Sequence, residues 1–240
     1  MNSMPPATES APALAAGEVH LWLARVDDAP PTDTLASWLD ESERARLVRL
    51  QRAEDRALFA LAHAALRDVL ARSLGIAARS VQIDHDAHGK PRLAPGHACD
   101  LRFNLAHAGR AVLIGIARDR ELGVDIEAVI AHDDLRAVAE QVYSADERAA
   151  LDACPTAART DLFYTLWTRK EACLKAWGCG LDGPLQQFSV HMAAHDDVAA
   201  PAGTSLPSLH CRDLPAPPGH VAAIAVSGGP TTAVCRRWHV

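Results

Sequence analysis

The chain is 240 residues long, with 49% hydrophobic and 22% charged residues, which is the composition of an ordinary globular protein with a sizeable core. Its 30 acidic residues outnumber its 24 Lys and Arg residues, so the formal net charge at pH 7 is −6. This balance excludes bulk electrostatic attraction to nucleic acid or to an anionic membrane, and any anion site has to be a local basic pocket.

The first residues and the cysteines indicate the cellular setting. Residues 1–16 lack the basic and apolar regions of a signal peptide, and we predict a disordered leader there. No apolar run in the sequence approaches the length that spans a bilayer. The six cysteines form no CxxC pair, so we expect reduced thiols in a cytoplasmic protein.

The first half of the sequence predicts a strand, two helices and two further extended segments. In chain order these are 18–26 for the strand, 41–50 and 53–74 for the helices, and 81–86 and 111–117 for the extended segments. The long helix closes at Gly75. A polar turn after 117 leads into a strand at 123–130, and we predict that 111–117 and 123–130 pair as a hairpin.

The second half follows the same order of elements. A helix over 145–154 has Ser144 as its expected N-cap, and a longer helix ends at Gly178. Short strands are predicted at 188–190, 220–228 and 233–240. The order strand, helices, strands therefore occurs twice in the chain.

Sequence likenesses at one offset support two related halves. ERAxL at 43–47 recurs 104 residues later at 147–151, and Leu-Phe at 58–59 recurs at the same offset. At this offset Glu171 and Lys175 correspond to Arg67 and Ala71, which indicates that one half is specialised.

We therefore predict an α+β fold of two similar halves with pseudo-twofold symmetry, each a small antiparallel sheet packed with a long helix. The predicted halves are residues 17–118 and 119–240. Because ligands often bind at such junctions, we expect the active site between them.

The GVDIE segment at 123–127 places two carboxylates on one face of a strand. Because strand side chains alternate, Asp125 and Glu127 project together while Val124 and Ile126 enter the core. Adjacent carboxylates repel each other unless a cation lies between them. Taken alone, the pattern is also typical of a solvated strand face.

The WTRKEACLKAWG segment at 167–178 places Glu171 and Lys175 one helical turn apart. Such a pair is also typical of a surface salt bridge, but the surrounding residues are apolar and leave little solvent-facing surface. Asp125, Glu127 and Glu171 together suit a hard cation such as Mg²⁺, and Lys175 suits phosphate. The composition indicates a phosphate-transfer site.

A third cluster is basic and lies in the first half. Lys90 follows a glycine in the turn HGKPRL, and His107 directly precedes the strand 111–117. The first helices carry a run of arginines: Arg44, Arg46, Arg49, Arg52 and Arg56. Singly, each of these residues is typical of a wet surface. Their grouping in an acidic chain indicates one anion-binding surface.

Together, the ordered motifs resemble those of the 4′-phosphopantetheinyl transferases, specifically the larger, surfactin-synthetase-activating type. The motifs are GKP at 89–91, FNLAH at 103–107, GVDIE at 123–127 and WTxKEAxxKAxGxGL at 167–181. That type is similar in length and is built as two related halves. A weaker likeness, in the DRxxF-containing helix, extends back to about residue 40.

The resemblance implies transfer of the phosphopantetheine arm of coenzyme A, the co-substrate, to a serine of an apo acyl or peptidyl carrier protein, with release of 3′,5′-ADP. It implies a Mg²⁺ ion, or Mn²⁺ in its place, bound by Asp125, Glu127 and Glu171. Lys175 is expected to contact the phosphates. For the proton of the carrier serine, Glu171 or a metal-bound water beside it is the best-placed base.

The resemblance also implies that the first half holds the nucleotide of coenzyme A, through Lys90, His107, Arg46 and Arg49. One departure from the family pattern is Ala106, where the family commonly has a serine. The resemblance favours a monomer that acts on carriers of fatty-acid, polyketide or nonribosomal peptide biosynthesis. It predicts neither a nucleic-acid nor a membrane partner.

Two other interpretations remain open from the residues. The DxE motif with nearby lysines is also typical of metal-dependent nucleases, although their lysine normally lies on a strand. A non-catalytic carrier-protein or nucleotide-binding module of the same fold is the second alternative, and the complete set of acidic residues argues against it.

Overall fold

The computed structural model describes residues 14–15, 17–131, 134–180, 183–190 and 195–239. The predicted leader at 1–16 lies almost wholly outside these residues. In the first half the elements are β1 (Glu18–Arg25), α1 (Thr32–Ala36), α2 (Glu41–Arg49), α3 (Ala53–Leu74), β2 (Ile83–His85), β3 (Pro91–Leu93), β4 (Leu101–Ala108) and β5 (Ala111–Arg118). In the second half they are β6 (Leu122–Ala128), α4 (Leu135–Val142), α5 (Ala145–Ala153), α6 (Thr156–Trp177), β7 (His195–Val198), β8 (Leu209–Leu214), β9 (His220–Ser227) and β10 (Thr232–Arg237).

The strands form two four-stranded sheets and one small hairpin. The first sheet has the order β10-β1-β5-β4, the second β6-β9-β8-β7, and β2 pairs with β3. Among the strands of the described residues, all pairings are antiparallel except that of β10 with β1, which is parallel. The predicted α+β class with two helix-and-sheet halves is confirmed.

Apolar side chains from alternate strand positions build four layers, helices–sheet–sheet–helices. One core lies between α1–α3 and the first sheet, and another lies between α5–α6 and the second sheet. A third fills the space between the sheets, where Val124 and Ile126 are almost fully buried, as the alternation in GVDIE predicts. The sheets lie close together at Gly115, where a Cβ would lie 2.8 Å from Cγ1 of Val124.

The predicted hairpin of 111–117 with 123–130 is wrong. β5 pairs with β1 and β4, whereas β6 pairs with β9 in the other sheet. The short connection between β5 and β6 therefore crosses from one sheet to the next. The segment 188–190 is not a strand, and β10 joins the first sheet instead of the second.

The two long helices correspond at a different offset from the one that the sequence suggests. They begin 103 residues apart, at Ala53 and Thr156, and both end at a glycine with positive φ, Gly75 and Gly178. The equivalents of Glu171 and Lys175 are therefore Asp68 and Arg72, and the predicted match to Arg67 and Ala71 is wrong by one residue. Asp68 and Arg72 also form an ion pair, at 2.6 Å.

Each half contains a capping box whose glutamate also binds a cation from its long helix. Glu43 caps α2 together with Asp40 and accepts from Nε of Arg67 at 2.5 Å. Glu147 caps α5, as predicted from Ser144, and accepts from Lys170 Nζ at 2.9 Å. Arg67 and Lys170 are both fully buried, so each pair ties a short helix to a long one inside the protein.

None of the helices in the described part of the chain combines the length and the hydropathy that crossing a bilayer requires. The six cysteines all lie in the described ranges and are free thiols.

Candidate active site

The site lies where α6 crosses the edge strand β6 at very close range. Gly123 makes this approach possible, because a Cβ at this position would lie 2.1 Å from the carbonyl oxygen of Ala172 and 2.4 Å from the backbone nitrogen of Ala176. Any side chain at Gly123 would push the helix away. The first residue of the GVDIE motif therefore sets the distance between the strand carboxylates and the helix.

The charges within α6 separate into structural and site residues. Arg169 forms a two-pronged ion pair with Asp213 of β8, with both N–O distances at 2.7 Å. Lys170 donates to Glu147 and to the carbonyl oxygens of Leu185 and Phe188, each of these two at 2.7 Å. These residues fasten the helix. Glu171 and Lys175 instead face β6, as their spacing predicts.

The acidic cluster consists of Asp125, Glu127 and Glu171. Nζ of Lys175 donates to Oδ1 of Asp125 at 2.6 Å, and the indole Nε1 of Trp167 donates to Oε1 of Glu127 at 3.1 Å. Oδ2 of Asp125 and Oε1 of Glu171 are buried without a hydrogen-bond partner. Buried acceptors in this state are costly, and their presence indicates a site built to receive a donor or a cation.

The pKa values within the cluster also indicate a site that receives a donor or a cation. Burial raises the pKa of Asp125 to about 7, the nearby Glu127 and Glu171 raise it as well, and Lys175 opposes them. Burial also raises the pKa of Glu171, with a further contribution from Glu127. The pKa values of Asp125 and Glu171 stay raised although Lys175 lowers them, so this one lysine does not fully offset burial and the neighbouring carboxylates.

The donor set has the oxygen ligands that a divalent cation prefers, but the side chains are not arranged to bind one as they stand. Carboxylate oxygens are the ligands that Mg²⁺ and Mn²⁺ prefer, and two of them here have no partner. Within the described residues, however, no three His, Cys, Asp or Glu side chains are arranged to hold a metal ion as they stand. Lys175 holds an oxygen of Asp125, so binding requires the Lys175 side chain to rearrange.

A basic cluster from the first half adjoins the acids. Partial desolvation lowers the pKa of His107, and the positive charges of Lys175, His63 and Arg46 lower it further. His107, Lys175, His63 and Arg46 therefore lie close enough for their charges to interact. Arg46 lies over the ring of Phe59, 5.3 Å from its centroid. Cations from both halves thus face a common space, which suits a polyanion.

His63 is a residue of this cluster that the sequence analysis missed. Its Nδ1 lies 2.9 Å from Oε1 of Glu43, and its ring lies against Phe59 with centroids 4.1 Å apart. The hydrogen bond with Glu43 orients the ring and leaves Nε2 for another partner. A histidine on the long helix α3, in the middle of an apolar stretch, gives no sequence signal of this role.

The other predicted nucleotide residues lie elsewhere. Nζ of Lys90 donates to Glu121 at 2.8 Å and to the carbonyl oxygen of Ala176 at 3.1 Å, so Lys90 borders the C-terminal end of α6. Arg49 is exposed and donates to the carbonyl oxygen of Ala45, and the structure does not bring it to the cluster. Ala106 packs in the core between the sheets.

The two halves meet at this point through Asn104. Its side-chain oxygen accepts from the backbone nitrogen of Val124 at 2.9 Å, and both residues are buried. The contact joins β4 to β6, the edge strands of the two sheets. The asparagine of the FNLAH motif thus aligns the strand that carries His107 with the strand that carries Asp125.

Comparisons with known proteins decide the family. Residues 121–225 match the 4′-phosphopantetheinyl transferase superfamily, and residues 30–118 match the family described as 4′-phosphopantetheinyl transferase, N-terminal. The 4′-phosphopantetheinyl transferase HetI of Nostoc sp. (strain PCC 7120) is 31% identical over 217 residues, which are 90% of each chain. The chain belongs to the 4′-phosphopantetheinyl transferase superfamily.

Two further relatives extend the match. The 4′-phosphopantetheinyl transferase Sfp of Bacillus subtilis (strain 168) is 28% identical over 191 residues, 80% of this chain and 83% of Sfp. The 4′-phosphopantetheinyl transferase AcpT of Escherichia coli (strain K12) is 35% identical over 97 residues, 40% of this chain and 49% of AcpT. The resemblance seen in the motifs is confirmed, and the protein is a transferase enzyme whose general reaction is 4′-phosphopantetheinyl transfer.

Proposed function

We propose that this transferase moves the 4′-phosphopantetheine arm of coenzyme A onto a serine of an apo carrier protein, depends on a divalent cation and releases 3′,5′-ADP. The proposal is supported by the arrangement of charged residues where the two halves meet. Lys175, which binds Asp125 beside Glu127 and Glu171 in the second half, acts electrostatically on His107 of the first half, as do His63 and Arg46. Coenzyme A combines a 3′-phosphate with a diphosphate, and these groups need cations on both sides of the junction.

Asp125, Glu127 and Glu171 are the residues that would hold a Mg²⁺ or Mn²⁺ ion. The supporting observations are the burial of Asp125 and Glu171, an unpartnered oxygen on each, and the contribution of Glu127 to the raised pKa of both. A divalent cation bound there neutralises diphosphate charge and polarises the phosphorus under attack. Lys175 leaves Asp125 in this scheme and pairs with a diphosphate oxygen, since its side chain is partly exposed and long enough to turn.

The first half supplies the nucleotide side of the site. His107, Arg46 and the newly found His63 are proposed to bind the 3′-phosphate, because the charges of His63 and Arg46 act on His107. Lys90 is proposed to contact the nucleotide from the end of α6. Arg49 is proposed to contribute only to the positive electrostatic potential of the site, from a greater distance than the other residues. In this division residues 17–118 bind the nucleotide and 119–240 carry the metal and the catalytic residues.

Glu171 is proposed as the base that takes the serine proton. The serine oxygen forms a bond to the β-phosphorus, and the anhydride bond between that phosphorus and the oxygen of the leaving 3′,5′-ADP breaks. Glu171 is buried beside Lys175 and has an oxygen without a partner, so it can accept a proton there. Lys175 balances the charge that develops on the leaving phosphate.

The carrier protein, taken to be acidic, has two candidate surfaces beside the junction. One is α2, where Val48 is 80% exposed among exposed arginines that include Arg44 and Arg49. The other begins after β6, where Ile130 and Val138 are exposed. We propose that an acidic apo carrier contacts these surfaces, with charge steering its approach. The transferase is proposed to act as a cytoplasmic monomer.

The test is incubation with coenzyme A, Mg²⁺ and a panel of apo acyl and peptidyl carrier proteins from fatty-acid, polyketide and peptide synthesis. We expect the carrier mass to rise by one phosphopantetheine arm and 3′,5′-ADP to accumulate. Glu171→Gln should slow transfer by about 10²–10⁴-fold with unchanged thermal unfolding, as loss of a general base does. The exposed Asp152→Asn is the control. DNA cleavage, or carrier binding without a mass gain, would overturn the proposal.

A further inference from the structure

The indole of Trp167 is fixed against a carboxylate of the acidic cluster. Its Nε1 donates to Oε1 of Glu127 at 3.1 Å, and its ring packs against the core of the second half. We propose that Trp167 is a positioning residue, which orients Glu127 for the divalent cation and thereby sets the affinity for that cation. This inference rests on the proposed function.

The geometry shows why Glu127 needs such a partner. Glu127 is the penultimate residue of β6 and is only partly buried, whereas Asp125 is almost fully buried. A carboxylate near a strand end has rotamer freedom that costs free energy when a ligand fixes it. A hydrogen bond to Oε1 removes part of this freedom and leaves the other oxygen, Oε2, for a ligand.

The two donors in the cluster differ in rigidity. Lys175 reaches Asp125 with a flexible, partly exposed side chain that another cation is able to replace. The Trp167 ring has two side-chain torsions, and both are restricted by packing against the helix core. Its N–H therefore stays in place when the cluster exchanges its cation. The inference concerns this permanent donor.

The same helix contains a matched control. Trp177, ten residues after Trp167, also donates from its indole, to the carbonyl oxygen of Pro207 at 2.8 Å. Its ring packs edge-on against Phe188, with centroids 4.9 Å apart. Replacement of either tryptophan by phenylalanine removes one N–H and keeps an aromatic ring. Only the donor of Trp167 reaches the acidic cluster.

The experiment compares Trp167→Phe with Trp177→Phe. We expect Trp167→Phe to weaken Mn²⁺ binding, measured by electron paramagnetic resonance with and without coenzyme A, and to raise the KM for Mg²⁺. The expected factor is about 10-fold, at the lower end for lost partners of metal ligands. The KM for coenzyme A should stay within about twofold of the wild-type value, because the substitution removes no contact with that substrate. Trp177→Phe should leave the affinity for Mn²⁺ unchanged.

A second readout uses the unmutated chain labelled with 5-fluorotryptophan. The ¹⁹F resonance of Trp167, assigned by elimination with single Trp→Phe variants, should shift when Mg²⁺ is added, whereas that of Trp177 should not. Equal Mn²⁺ affinity in Trp167→Phe and the wild type would overturn the inference. So would a Trp167 resonance that does not shift when Mg²⁺ is added. If the wild type binds Mn²⁺ but modifies no carrier, the proposed function fails independently of this result.

Discussion

Nζ of Lys175 lies 2.6 Å from Oδ1 of Asp125, a side chain that is 5% exposed. The ammonium is the counter-ion that allows three neighbouring carboxylates to fold into one site. A divalent cation has to compete with it, and the phosphates of a bound substrate offer Lys175 a new partner. In the proposed reaction, the pair couples cation binding to substrate binding.

Removal of this counter-ion should separate cation binding from transfer. Lys175→Met leaves the acids without their own cation, so Mn²⁺ should bind the free enzyme about tenfold more tightly at pH 8, a change that one nearby unit charge readily produces. Transfer should fall sharply, because the leaving phosphate loses its charge partner. Isothermal titration calorimetry and carrier loading measure the two effects.

The control for this variant is Arg79→Met, which changes the net charge equally at an exposed position outside the site. It should leave Mn²⁺ affinity as in the wild type. Weaker Mn²⁺ binding in Lys175→Met than in the wild type would contradict the counter-ion role.

Gly123 should tolerate no side chain. In Gly123→Ala the new Cβ would meet the backbone of Ala172 and Ala176, so α6 has to shift and carry Glu171 with it. We expect a loss of about 1–3 kcal/mol in the free energy of unfolding, as for overpacking, together with loss of transfer. Urea unfolding and carrier loading measure both. In Gly96→Ala the nearest atom to the new Cβ is 3.7 Å away, and this variant should behave as the wild type.

Breaking the Lys170–Glu147 pair should be strongly destabilising. Lys170→Met leaves Glu147 buried without its cation, which typically costs about 3–5 kcal/mol. The exposed Arg136–Glu140 pair, with atoms 3.7 Å apart, offers the comparison, and Arg136→Met should change stability little. Chemical denaturation measures both variants. Equal destabilisation by the two substitutions would show that burial does not govern the cost.

Glu43 should make stability depend on acid pH. Burial alone raises the pKa of Glu43, but hydrogen bonds from His63 and Arg67 outweigh it and lower the pKa from 4.5 to about 2. Because the folded-state pKa is depressed, the stabilisation is fully present above pH 4.5 and is lost as the pH falls towards 2. The stability difference between the wild type and Glu43→Gln should therefore shrink over this window.

Thermal unfolding at several pH values between 5 and 2 measures this difference. A constant difference between the two proteins across the window would argue against an ionised Glu43 in the fold.

Local signals in the sequence predicted the elements well. The end of α3 at Gly75, the end of α6 at Gly178 and the cap at Ser144 each depend on neighbouring residues alone. The alternation in GVDIE correctly assigned Val124 and Ile126 to the core. In each case the deciding interaction lies within one turn or one strand, so the sequence contains it.

Pairings between distant segments were not predictable in this way. A polar turn between two apolar strands is typical of a hairpin, yet here it connects two sheets, because β1 and β9 are the better partners for β5 and β6. The repeat offset failed for a smaller reason. The connection from α5 to α6 is one residue shorter than that from α2 to α3, which changes the offset from 104 to 103.

Some predicted site residues depend on local sequence signals, and others come together only through the tertiary fold. Glu171 and Lys175 share a helix face and were paired by spacing, and the strand beside them carries Asp125. His63 joins His107 only through the tertiary fold, and no spacing rule connects residues so far apart. The basic part of the site was therefore predicted only in part, since His107 and Arg46 were named from the sequence and His63 was not.

The pairing of β10 with β1 has a consequence for biosynthesis. β10 follows every strand of the second sheet in the chain, and Trp238, just beyond it, donates to Asp68 of α3 at 2.9 Å. A ribosome thus releases the edge strand of the first layer only after the second layer has been translated. The first layer matures last, and two polypeptides split at residue 118 would have to recombine before the first sheet gains its fourth strand.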